Sequence, residues 1–430
     1  MHKLRISFIN IFNRYSGYFK EGAWVIFGQI LSFLASLYGV KILTRKMLPE
    51  EYGVLSLSLT YVALLSQVFF APLSAGSTRF YIIAKENNEL PKYARTLQFF
   101  ITIFSLFSLL VTIIIGFFLV FTSKSSLIYI LAFALIFSIT SGINLIFTSI
   151  QIAARQRSLV AIIQGIDSWS KYLIAIFIII ILGAYTTSVI SGYLVSSFLL
   201  LFIQFYFLKN IVSFNGGNRD KEWEKKIWKY IWPFISWGLF TWAQISSDKW
   251  SLAFFSSNKN VGIYTALYQI GYFPISVITG FGIQLLTPIF FQRAGDGVDL
   301  EKIKAVNIMA SKINVIGLII TAVTFLLSLL FHNQLFSMFF HNNDYLEISY
   351  LLPWLILSGG IFACAQALSL ELMSKMQTSN LAVIKIATAL IGIIMNIIFA
   401  YLFQIKGVVF SSLVFSILYF SWIRYKIKFK

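Results

Sequence analysis

Four ionisable side chains stand inside otherwise apolar runs. Asp167 and Lys171 lie four residues apart in GIDSWSKYLI, and Asp248 and Lys249 are neighbours in AQISSDKWSL. An ionised group at the centre of a membrane helix costs roughly 2.5 to 3.5 kcal/mol even on the lenient insertion scale, so each needs a partner or a purpose. The i,i+4 spacing puts Asp167 and Lys171 on one helix face with the acid N-terminal, where they can neutralise each other. Such a pair either lets the helix insert or forms part of a cavity wall. Asp248 and Lys249 are about 100° apart around a helix and are expected to point in different directions. Lys41 lies near the outer end of the first apolar run, where its stem can snorkel to the head groups or turn inward. Arg79 follows Pro72 and Gly76 at the inner end of the second run, a composition that permits a bend. Groups for covalent chemistry are missing. His332, His341, Asp344 and Glu347 lack metal-ligand or triad spacing, no GxxxxGK[ST] loop is present, and the single Cys364 allows neither an intrachain disulfide nor a cysteine metal cluster. No catalytic residue and no metal ligand is therefore assigned.

The elements that position these charges follow from composition. Of 430 residues, 58% are hydrophobic and 12% charged, and the mean hydropathy is +0.81. Soluble chains carry about a quarter charged residues, so most of this surface faces lipid. Runs of about 20 apolar residues span the hydrocarbon core as helices, and about twelve such runs are present. They fall near 22–43, 53–73, 98–121, 127–152, 160–182, 187–208, 231–255, 262–290, 312–332, 350–372, 381–404 and 407–424. Transmembrane strands would alternate polar and apolar, whereas KYLIAIFIIIILG is apolar on every side. Residues 1–21 mix Lys3, Arg5, Arg14 and Lys20 with Phe8, Phe12 and Phe19, which reads as an interfacial helix rather than a cleavable signal. With the N-terminus inside, the cytoplasmic segments hold about 25 Lys and Arg and the outer ones about five, so both termini are cytoplasmic. The formal charge of +18 is then the positive-inside bias of a polytopic protein, and nucleic acid is not a partner.

A weak internal repeat divides the chain. EYGVLSLSLTYVA at 51–63 aligns without gaps on NVGIYTALYQIGY at 260–272, an offset that pairs Gly53 with Gly262 and brings Lys41 almost onto Lys249. The polar stretch NGGNRDKEWEKK lies near the midpoint, which gives an N-lobe over 1–208, a cytoplasmic linker over 209–229 and a C-lobe over 230–430. The class is all-α integral membrane, with six helices in each lobe, and the lobe plan places a substrate cavity near the midplane. Pro72, Pro233, Pro274, Pro288 and Pro353 are expected to kink their helices.

YGVKILTRKMLPEEYGVLSLSLTY, then APLSAGSTRFYIIAKE, then WPFISWGLFTWAQISSDKW followed by NVGIYTALYQI resemble the bacterial Wzx-type O-antigen and capsule flippases. These belong to the multidrug, oligosaccharidyl-lipid and polysaccharide exporter superfamily. The resemblance implies a MATE-like fold in the bacterial inner membrane. It also implies flipping of a polyprenyl-diphosphate-linked oligosaccharide for lipopolysaccharide or capsule, with a polysaccharide polymerase and glycosyltransferases as partners. A diphosphate suits converging cations, which assigns Lys41, Arg79, Lys171 and Lys249 to it and leaves Asp167 and Asp248 for coupling, gating or pairing. Gln29, Asn144, Trp169, Tyr264, Tyr268, Gln244 and Gln269 offer stacking faces and amides to sugars. No cofactor is implied beyond a coupling gradient of sodium or protons. Two rivals remain at this stage, a multidrug antiporter of the same superfamily and a membrane polysaccharide polymerase or ligase. The first wants an acidic or neutral cavity and the second a large outer loop, and the chain has neither.

Overall fold

Backbone groups in lipid must bond within their own segment, and in the computed structural model the chain accordingly folds as helices. The structure describes all residues except 1, 122–126, 210, 213–218, 295–298, 376–377 and 429–430; for 2–21, 284, 288, 300 and 378–380 the backbone alone is described. The helices are α1 (His2–Lys46), α2 (Pro49–Leu65), α3 (Ala71–Glu86), α4 (Leu90–Phe121), α5 (Leu127–Ala153), α6 (Arg157–Leu182), α7 (Thr186–Leu208), α8 (Lys221–Phe255), α9 (Asn258–Gly271), α10 (Phe273–Ala294), α11 (Leu300–Phe339), the short α12 (Asn343–Leu346), α13 (Leu352–Ser374) and α14 (Thr378–Lys428). No strand occurs among the described residues.

Among the described residues, ten helices are long and apolar enough to cross a membrane. Two more passages complete the twelve. The charged start of α8, KEWEKKIWKYIW, lowers its mean hydropathy, and α14 reverses at Gln404 (φ 52°, ψ −128°). Phe415 packs beside Gly392 across that reversal, so α14 is two antiparallel helices. The passages also explain most of the prolines. Pro72 and Pro353 occupy the first turns of α3 and α13, and Pro274 is the second residue of α10, where a missing N–H costs nothing. Pro353 starts its helix after a 3-10 turn at Ser349–Leu351, whereas Pro72 and Pro274 follow a π turn and Tyr272, both in right-handed helical backbone, so those passages are irregular where the kinks are expected. Pro233 lies inside its helix, α8, and Pro288 falls within the range of α10, its side chain outside the described residues. The break before α3 is a single π turn at Ser66–Phe70. The N-terminal segment expected to form an interfacial helix is continuous with the first span in α1.

The chain forms two compact units, Met1–Tyr38 with Ser58–Leu239, and Gly39–Leu57 with Phe240–Lys430. In the first, α3, α4, α5 and the first half of α8 share a core built on Phe70, Leu73, Tyr93, Phe100, Trp223 and Ile231. Trp223 donates its indole N–H to Glu89 at 3.2 Å, and Lys92 bridges Glu89 and Asp220 at 3.2 and 3.6 Å. Lipid gives no hydrophobic drive for helices to associate, so small and polar residues hold the seams. Gly192 lies against the Ala175 backbone, Gly28 lies against Ala161, and Ser170 bonds Ser196 at 2.6 Å.

In the second unit, α2 and α9 cross at glycines. A Cβ on Gly53 would overlap the carbonyl oxygen of Asn258, and one on Gly262 would overlap that of Pro49. Ser56 and Thr265 join their hydroxyls at 2.8 Å, again 209 residues apart. Pro49 and Asn258, Gly53 and Gly262, and Ser56 and Thr265 share that offset and the two glycine contacts are reciprocal, so the crossing lies on a local twofold between the starts of two repeated helices.

The cation asymmetry makes a topological prediction. Cysteines placed at Lys221 and Lys426 should resist an impermeant thiol reagent applied outside intact cells, and one at Asn342 should label. The native Cys364 is buried and gives little background. The midpoint position Gly217 lies outside the described residues. Labelling of Lys221→Cys from outside would reverse the orientation.

Candidate functional site

In the second unit, α8 and α9 place a buried charged cluster. Asp248 and Lys249 are 6% and 9% exposed, so neither charge is left to bulk solvent. The Tyr264 hydroxyl donates to Asp248 Oδ2 at 2.8 Å, and the Lys249 backbone N–H donates to Oδ1 at 2.7 Å. Lys249 Nζ comes to 3.6 Å from the same Oδ1 and lies 4.9 Å from the centre of the Tyr268 ring. The expectation that the two charges diverge is therefore corrected. The 100° step separates Cβ atoms, but a four-carbon stem curls back far enough to bring the ammonium to its neighbour's carboxylate. The Tyr268 ring stacks on Tyr272 at 5.0 Å, which continues the aromatic wall along α9. One residue before Asp248, Ser247 accepts from the Asn396 amide at 2.8 Å and ties α8 to α14.

In the first unit, α6 carries the second charged pair. Lys171 Nζ bonds Asp167 Oδ2 at 2.6 Å, as the i,i+4 spacing requires. Their side chains are 24% and 27% exposed, more open than the α8 cluster, and Lys171 also lies 5.8 Å from the Phe137 ring centre. Trp169, on the same helix, packs its ring 5.5 Å from that of Tyr38.

The remaining predicted residues divide between the units. Lys41 is half-buried in the second unit, with Nζ 6.0 Å from the Phe339 ring centre. Gln244 and Gln269 are half-buried there too, and Gln269 Oε1 is buried without a hydrogen-bond partner among the described residues. In the first unit, Arg79 is exposed on α3 and Gln29 is half-buried on α1. Asn144 is half engaged, its Oδ1 being buried without a hydrogen-bond partner among the described residues. Its amide donates to the carbonyl and hydroxyl of Ser197 at 2.9 and 3.1 Å, which pins α5 to α7. Tyr264 is fully buried, and its hydroxyl is spent on Asp248.

Sequence reasoning misses one buried pair. Glu371, 2% exposed near the end of α13, receives Lys375 Nζ at 2.6 Å. Its signal was the i,i+4 acid and base in LELMSK, hidden because the apolar run was closed at 372. Outside the spans, Lys259 bonds Asp344 at 2.8 Å, and that carboxylate holds the ammonium's pKa above its ordinary value.

Proteins of known structure share this fold. A lipid II flippase MurJ in an inward closed conformation matches 95% of this chain and 87% of its own at 14% identity, with a TM-score of 0.71. An inward-facing multidrug resistance MATE transporter of the MOP superfamily matches 93% and 94% at 15% identity, with a TM-score of 0.66. A MOP superfamily transporter from Pyrococcus furiosus, described by a binding pocket of reverse polarity, matches 95% and 96% at 15% identity, with a TM-score of 0.61. These likenesses show the MATE-like fold that the family resemblance implies. No curated protein matches the sequence. The model of the polysaccharide biosynthesis protein family matches residues 19–294, and the chain belongs to that family.

Proposed function

We propose that the protein is a flippase that carries polyprenyl-diphosphate-linked oligosaccharide across the bacterial cytoplasmic membrane by alternating access. One observation carries the choice of substrate. Asp167 and Asp248 are each paired with a lysine of their own helix, and neither Lys41 nor Arg79 has a carboxylate within ion-pair distance among the described residues. The intramembrane charge left after pairing is positive, which suits a diphosphate leaving water and opposes an organic cation. Membership of a polysaccharide biosynthesis family and the fold shared with a lipid II flippase support the same direction.

In this reading Lys41, Arg79, Lys171 and Lys249 contact the diphosphate, with Lys171 and Lys249 exchanging their own carboxylates for it. Tyr268 and Trp169 offer stacking faces to sugars, and Gln29, Gln244 and Gln269 offer amides; Gln269 has a buried oxygen still to satisfy. Asp167 and Asp248 are the carboxylates through which a sodium or proton gradient biases the cycle. No covalent step is involved, and the protein is a transporter rather than an enzyme. The supply and removal of its cargo fall to membrane glycosyltransferases and a polysaccharide polymerase.

Substitution tests the assignment. Lys249→Ala alone strands a buried carboxylate, so the informative change is Asp248→Asn with Lys249→Ala, which leaves no charge unpaired. That double variant and Arg79→Ala should keep near-normal abundance and lower surface glycan about tenfold, the loss of roughly 1.4 kcal/mol of substrate binding. Wild-type surface glycan in both would remove these residues from the substrate path.

A further inference from the structure

Between the end of α1 and the start of α12, the second unit has an open surface pocket of about 370 Å³ whose polar residues are the buried Thr44 and the exposed Arg45, Lys46, His341 and Asn342. By the cation asymmetry it opens at the outer face of the membrane. Arg45 Nη2 lies 3.2 Å from His341 Nε2. A guanidinium only donates, so that imidazole nitrogen accepts and the ring proton sits on Nδ1. The imidazole thereby fixes one edge of the arginine fork while the other guanidinium N–H groups stay free of it. No carboxylate lines the cavity, and neither Arg45 nor Lys46 has one within ion-pair distance among the described residues. The nearby Asp344 is engaged by Lys259, and Glu50 also contributes to the field at that lysine. Compensation of the carbonyls at the end of α1 accounts for cations at this position, though not for a histidine from another element meeting them across a cavity.

We infer that this cavity is an outer binding site for a phosphate oxyanion, with Arg45 and Lys46 as its cations. An arginine held at one edge and a lysine as point charge are a pairing suited to phosphoryl oxygens. The pocket volume leaves room for a diphosphate. Leu48, 67% exposed, adds an apolar lip beside the cations, as a phosphate carried on a prenyl chain would use. This deepens the flippase reading and rests on it: the cavity receives the head group on the outer side and draws it away from the membrane-embedded lysines.

The test is binding to the purified full-length protein, followed by thermophoresis with two probes, inorganic pyrophosphate and farnesyl diphosphate. Arg45→Gln with Lys46→Gln should weaken both by at least tenfold, and Asp248→Asn with Lys249→Ala should leave that outer component in place. Tighter binding of farnesyl diphosphate identifies a lipid-borne head group, and equal binding of the two identifies a free anion; either supports the site. Arg45→Lys, which keeps the charge and loses the histidine contact, should weaken binding less and serves if the double variant does not fold. Diphosphate binding unchanged in the Arg45 and Lys46 variants but lost in the Asp248 and Lys249 variant overturns the outer site and leaves the flippase reading intact. No binding of farnesyl diphosphate to any form overturns both.

Discussion

Gly53→Ala should reduce both abundance and surface glycan to background. The added methyl group would overlap the carbonyl oxygen of Asn258, a backbone atom that cannot turn aside, so α2 and α9 must separate. Overpacking costs typically 1–3 kcal/mol, and a backbone obstacle places this substitution at or above the upper end. Gly262→Ala should fail to the same degree, because its methyl group meets the Pro49 carbonyl in the equivalent geometry. The double variant makes the sharper statement. Once the helices have moved apart, both overlaps are relieved together, so the double change should cost little more than either alone. Thermal melting of the purified variants measures this. Costs that add would show two independent contacts in place of one crossing.

Removing one member of the Asp167 and Lys171 pair should also be severe. Breaking a buried pair costs about 3–5 kcal/mol, and the quarter exposure of these side chains screens that to the lower end or below. Asp167→Asn leaves the wall more positive and holds an anionic lipid too long, whereas Lys171→Ala leaves a carboxylate facing a diphosphate. Either single change should lower abundance several-fold and abolish transport. Asp167→Asn with Lys171→Ala inserts as a neutral helix and should regain abundance without regaining transport. Membrane abundance and surface glycan, measured on the same cells, separate the two effects. A fully active double variant would make the pair a structural device for insertion.

The periodic features were legible and the proximities were not. Twelve apolar runs follow from hydropathy because lipid requires helices of fixed length, and the reversal at Gln404 falls where the run 381–404 was closed. The offset of 209 between Gly53 and Gly262 is visible in the sequence as equivalence, but equivalence does not say that the residues touch; only the crossing of α2 with α9 does. Asp167 and Lys171 were readable because both positions and reach agree at i,i+4. Asp248 and Lys249 were misread because helix geometry fixes the Cβ direction, while the length of the lysine stem decides where the charge ends up. Asn144 and Tyr264 resemble ligand groups by type, and only their neighbours, Ser197 and Asp248, show that the amide nitrogen of one and the hydroxyl of the other are engaged within their own units. Glu371 escaped because a hydropathy window ends where charges begin, even when the helix continues and buries them.

Transport itself can be measured with proteoliposomes carrying a fluorescent polyprenyl-diphosphate oligosaccharide that an external, impermeant reductant quenches. In the absence of protein, only label in the outer leaflet should be lost, about half of the total by symmetry of the two leaflets. With the wild-type protein, quenching should continue towards completion, and with Asp248→Asn, Lys249→Ala it should stop near the protein-free level. Quenching by the wild-type protein no greater than in empty liposomes, together with export of a fluorescent organic cation by the same vesicles, would contradict the flippase account.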